Sequence, residues 1–214
     1  MANVESRMPN ADARRKAVWG GRARLAAALL AALALPSCSE GVRTGQSPAQ
    51  LVLTSLTGTK GGGANSGTAT NTLASDVVTL VPAKTGNPTV FADSATATLQ
   101  LQMRDALLSP SPANAVTLTQ YHVQFIRADG HNTPGLDVPF GFDGVLATTI
   151  SNSGSVSFTL VRVQSKVEAP LAALANNFQV ISMIAEVTLY GHDQNGRAVS
   201  VSGRLNVDFS DWGD

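Results

Sequence analysis

The sequence predicts an all-β protein, an antiparallel sandwich, and three observations carry that reading. Apolar residues recur at every second position in segment after segment, the period of a strand with one face on a core. Turn formers punctuate those segments: Asp129-Gly130, Pro134-Gly135 and Asn152-Ser153-Gly154. The last thirty or so residues hold two long alternating runs around Asn195-Gly196, the pattern of a hairpin.

Taken in order, residues 51–56 (LVLTSL) predict a first strand. Residues 57–75 carry three consecutive glycines and one large apolar residue, Leu73, which predicts a flexible linker or a long mobile loop. Lys60 precedes those glycines and no Gly-Lys-Ser/Thr follows them, so a phosphate-binding loop is not expected. Residues 76–81 and 145–150 are weaker strand candidates. Ala95, Ala97, Leu99, Leu101 and Met103 form one face of a strand, Tyr121, Val123 and Phe125 that of a second, and Val156, Phe158 and Leu160 that of a third. A helical turn or two is expected in residues 168–176, with Pro170 near its start.

The C-terminal hairpin specifies its own register. A two-residue turn at Asn195-Gly196 pairs Gln194 with Arg197 and sets Leu189 opposite Ser202, apolar against polar. A three-residue loop pairs Asp193 with Arg197 instead and sets Leu189 opposite Val201, Ala185 opposite Leu205 and Met183 opposite Val207. The same register puts Glu186 across from Arg204. A type I turn with Gly196 left-handed in a bulge is therefore expected.

The N-terminal segment reads as an address. Arg22 and Arg24 precede an apolar run over residues 25–35, eleven residues long, which is short of the roughly 20 needed to span a bilayer. A basic region, a short apolar stretch and small residues before a cut make a secretory signal. Ala32-Leu33-Ala34 fits an ordinary cleavage site. Leu35-Pro36-Ser37-Cys38 resembles the lipobox of bacterial lipoproteins, although Pro36 stands where a small residue is usual. That resemblance implies cleavage before Cys38, the only cysteine, and lipidation of its sulfur. Ser39, where an aspartate would resemble an inner-membrane retention signal, points to the outer membrane. Arg14-Arg15 matches a twin-arginine export motif poorly, and Met8 is an alternative start. The expected organisation is a signal peptide over 1–37, a flexible tether over 38–50, a possible first strand and flexible segment over 51–75, and the sandwich over 76–214.

Removing residues 1–37 leaves nine basic and thirteen acidic groups, a net charge of −4, with no basic stripe for nucleic acid. Lipidation of Cys38 would leave no thiol for a disulfide, a metal or a nucleophile.

Residues 116–143 (VTLTQYHVQFIRADGHNTPGLDVPFGFD), 166–174 (KVEAPLAAL) and 181–203 (ISMIAEVTLYGHDQNGRAVSVSG) resemble a family of uncharacterised bacterial lipoproteins. The likeness covers about the last hundred residues. It implies a single immunoglobulin-like or fibronectin-type sandwich and lends no activity. An inter-sheet disulfide is impossible with one cysteine, and no tryptophan lies between Gly20 and Asp211, so Tyr121 is the candidate for the central aromatic position.

Few residues carry chemistry. His122, His131 and His192 have no zinc-ligand spacing, and Asp129, Asp137, Asp143 and Asp193 read as turn residues rather than a calcium loop. No Gly-x-Ser-x-Gly elbow is present. Catalysis, a cofactor, a metal, a small-molecule substrate and a nucleic-acid partner are therefore not expected. Trp212, among the acids Asp208, Asp211 and Asp214, either folds back over the open end of the sandwich or serves as a docking point. Phe140 and Phe142, flanking Gly141, either plug the core or present their rings to a ligand. The expected role is a lipid-tethered, non-catalytic module binding another envelope protein, with a carbohydrate-binding or adhesive module as the alternative.

Overall fold

The computed structural model describes residues 45–62 and 67–213. Every element below belongs to one unit, Gln46–Asp214. The segment expected to be a signal peptide, residues 1–37, and Cys38 lie outside the described residues.

Eleven strands form two sheets and a small ribbon. They are β1 (Ala49–Thr59), β2 (Ala69–Thr70), β3 (Thr72–Asp76), β4 (Thr79–Val81), β5 (Asn87–Thr89), β6 (Asp93–Met103), β7 (Val116–Ile126), β8 (Phe142–Ile150), β9 (Ser153–Val161), β10 (Ile181–Asp193) and β11 (Ala198–Ser210). One sheet has the order β2-β1-β6-β9, the other β3-β11-β10-β7-β8, and β4 pairs with β5 alone. Of the seven long strands, the first, second and fifth share a sheet, and the third, fourth, sixth and seventh share the other. That division is the immunoglobulin-like sandwich.

The alternation does what the sequence implies. Ala95, Ala97, Leu99 and Leu101 of β6, Val123 and Phe125 of β7, and Met183, Ala185, Val187 and Leu189 of β10 point into the core. In β7, the third long strand, Tyr121 is buried and packs on Phe158 (centroids 4.9 Å apart) and edge-on to Phe142 (6.2 Å). It takes the central aromatic position. Gly144 lies opposite Tyr121 on β8, and a Cβ there would sit 2.1 Å from the tyrosine ring, so the glycine makes room for it. Phe125 and Phe209 make a second edge-on pair at 5.8 Å.

The hairpin adopts the three-residue loop. Leu189 faces Val201, Ala185 faces Leu205, Met183 faces Val207, and Glu186 faces Arg204 at an ion-pair distance of 2.8 Å. The Asp193 amide donates to the Arg197 carbonyl and the Gly196 amide to the Asp193 carbonyl, with Gly196 at φ +77°. Asp193 Oδ1 accepts from the amides of Asn195 and Arg197, both at 2.9 Å. Gln194 Nε2 reaches the Ala115 carbonyl and ties this turn to the start of β7.

Three expectations need correction. The tether drawn over 38–50 runs into the fold, because Ser47 is buried and β1 begins at Ala49. The segment over 51–75 is not simply a strand and a flexible stretch ahead of the sandwich. β1 continues through Thr57-Gly58-Thr59, and β3 lies parallel to β11, so the second sheet is mixed rather than wholly antiparallel. Gly58 serves packing here: a Cβ would meet Leu205 and Leu73 at 2.9 Å, and Leu73 is fully buried. Residues 76–81 do not form one strand, since β3 ends at Asp76 and β4 starts anew at Thr79. The turn expected in residues 168–176 is present as a 3₁₀ turn at Leu171–Leu174 with Pro170 just before it, and a short helix not expected from the sequence, α1 (Val163–Val167), precedes it. Pro170 disfavours helix at the residue before it, which separates the two.

Tyr121→Ala should cost about 3 kcal/mol in denaturant unfolding, while Tyr121→Phe stays within about 1 kcal/mol of the parent. A pH effect resides at Asp193. Burial pushes its carboxyl up, but the Arg197 amide, the Ser47 hydroxyl and the Asn195 amide, together with the charge of Arg197, more than offset this and hold it below the usual value. A carboxyl lowered by folding stabilises above its unfolded value and loses that contribution as pH falls through the folded one. The stability gap between the parent and Asp193→Asn should therefore shrink as unfolding is measured at successively lower pH, below about 4.

Candidate functional site

The end of the sandwich remote from the 193–197 turn gathers the polar side chains that the core excludes. β1 and β3 finish there, β6 begins there, and the chain leaves β11 there toward Trp212. Asp76, Asp93 and Lys166 are each about 1% exposed. Charges so placed need partners, because desolvating an unpaired ion costs several kcal/mol.

The partners are all present. Lys166 Nζ lies 2.8 Å from Asp93 Oδ2 and donates to the Asp76 carbonyl at 2.8 Å. Asp93 Oδ2 also accepts from Ser75 Oγ at 2.6 Å, and Asp93 Oδ1 from the Gly61 amide at 2.9 Å. Asp76 Oδ2 takes Lys60 Nζ at 2.9 Å and Thr79 Oγ1 at 3.3 Å, while its Oδ1 takes the Trp212 amide at 3.2 Å. Two lysines and two aspartates balance. Burial holds the Lys166 amine below the usual lysine range, against the opposing pull of Asp93.

Trp212 sits on this cluster. Its indole Nε1 donates to the Ser75 carbonyl at 3.1 Å, so the ring is half buried and fixed against the end of β3. Beside it lies an open groove of about 440 Å³ lined by Lys60, Thr68, Thr70, Thr72 and Trp212. The arrangement offers a flat aromatic edge, threonine hydroxyls and one partly exposed ammonium.

The other candidates fall elsewhere. Phe142 is buried in the core, with Arg162 stacked 4.2 Å from its ring centre. Phe140 is 54% exposed and rests over Gly135, so the two phenylalanines of that loop part company: one plugs, the other is presented. His122 pairs with Asp143 at 2.8 Å on the surface, and His131 stands 3.6 Å from Asp129, which also binds Arg127. His192 Nδ1 lies 3.2 Å from the neighbouring Asp193 carbonyl oxygen. Among the described residues no three histidines, cysteines or carboxylates converge as a metal site. Cys38 lies outside them.

Sequence reasoning missed Lys60, Ser75, Asp76, Asp93 and Lys166. One signal was available: Asp93 shares the parity of Ala95, Ala97 and Leu99, the inward face of β6. Lys166, in a short helix, gives no such sign.

Asp76→Ala removes the acceptor of both Lys60 and the Trp212 amide. It should lower stability by about 3 kcal/mol. The Trp212 emission should move to the red in the folded variant as the indole loses its seat.

Neither a family model nor a curated protein matches the chain.

Proposed function

We propose that this protein is an envelope lipoprotein, anchored through lipid on Cys38 in the outer membrane, whose sandwich is a non-catalytic module that binds another envelope protein. The observation that supports the binding role is the open edge at β8. That strand pairs only with β7 among the described residues, and Val145 on it is 85% exposed. An unpaired strand edge with an apolar side chain accepts a partner's strand by backbone hydrogen bonding. The lipobox-like segment before Cys38 supports the anchor, and no helix among the described residues is long and apolar enough to cross a membrane.

A second reading has its own support. A fixed indole beside Thr68, Thr70 and Thr72 suits a sugar, which stacks its apolar face on an aromatic ring and bonds its hydroxyls to neighbouring ones. The alternative is therefore a carbohydrate-binding or adhesive module using Trp212.

Cys38→Ala should release the protein from the membrane fraction and abolish incorporation of labelled palmitate. A photo-crosslinker at Val145 should give a discrete protein adduct in intact cells that one at Thr188, on a central strand, does not give. Adducts equal at both positions, or absent from both, speak against the edge. If glycan binding is found instead, Trp212→Ala should weaken it about tenfold or more.

A further inference from the structure

We propose that Lys166 and Asp93 are joined by an intramolecular isopeptide bond, formed when the lysine amine condenses with the aspartate carboxyl inside the folded domain. The two groups come from distant parts of the chain, α1 and the first residue of β6, yet stand 2.8 Å apart with side chains 1% and 0% exposed. Folding thus supplies an amine and a carboxyl at contact in a site from which solvent is excluded. Such positioning corresponds to effective molarities of about 10⁵ M or more in intramolecular reactions.

Each atom has a place to go. A proton of the Lys166 ammonium passes to Asp93 Oδ2 across their contact, leaving a neutral amine and a neutral carboxyl, and burial of Lys166 favours that form. Nζ then attacks Cγ, and the Nζ–Cγ bond forms. Negative charge gathers on Oδ1, where the Gly61 amide donates at 2.9 Å. A second proton moves from Nζ to Oδ2, the Cγ–Oδ2 bond breaks, and water leaves. Nothing is oxidised or reduced, and no co-reactant is needed.

The surroundings fit the product. The single amide N–H finds the Asp76 carbonyl that Nζ already faces, and the new carbonyl keeps the Gly61 amide. An ammonium has three protons, and two acceptors, Asp93 Oδ2 and the Asp76 carbonyl, are described for it. Condensation also removes two charges from a buried site, where ions are costly even when paired.

Trypsin digestion of the denatured full chain, read by mass spectrometry, tests this. The expected product is a branched peptide joining residues 85–104 to residues 163–197, uncleaved after Lys166 and lighter by one water than the two peptides together. Lys166→Arg keeps the charge but cannot form the bond, and should return the 85–104 peptide alone at full mass. Recovery of free 85–104 together with free 163–166 from the parent chain overturns the proposal. So does a water loss that maps to Asp129-Gly130 rather than to Asp93.

Discussion

The contact between Lys166 and Asp93 is the constraint around which the end of this domain is organised. Asp93 takes an inward position of β6 where the alternation otherwise puts apolar residues, Lys166 comes from a short helix outside the sheets, and neither is solvated. A buried charge tolerates no vague geometry, so each neighbour is set by it: Gly61 after β1, Ser75 and Asp76 at the end of β3, and α1 after β9. The Asp76 carboxylate then carries the order outward to Lys60 and to Trp212. Segments from both sheets meet at this point, and polar contacts there do the job that side-chain interdigitation does in the interior.

The interior depends on matching large side chains to glycines. Tyr121 lies over Gly144, and Leu53 on β1 approaches Gly203 on β11 so closely that a Cβ there would be 2.1 Å from it. Gly58 accepts Leu73 and Leu205 in the same way. These close approaches let the chain leave β1, turn, and lay β3 alongside β11. That parallel strand covers an edge that would otherwise present unpaired amides and carbonyls.

Sequence legibility followed the strength of the periodic signal. The hairpin register was readable because a one-residue slip would have turned Leu189 and Ala185 against polar partners. The third long strand was readable because Tyr121, Val123 and Phe125 alternate cleanly. Residues 57–75 misled because glycine and threonine signal flexibility by composition, whereas here Gly58 is demanded by packing and Leu73 is buried in the core. The polar cluster was hidden for a related reason. Its members lie far apart in the chain, and only the parity of Asp93 within β6 marks any of them as inward-facing. Phe140 and Phe142 share a motif and the same parity, but Phe142 begins β8 whereas Phe140 precedes the strand, so parity alone could not tell them apart.

The direction of β1 has a mechanical consequence. The strand starts beside the 193–197 end and, over roughly 35 Å of extended chain, finishes at Lys60 near Trp212. A pull on the N-terminal side opposed by a grip at the tryptophan end would run along the strand axes. The ladder between β1 and β6 would then be loaded in shear, all rungs sharing the force, instead of peeling open one rung at a time.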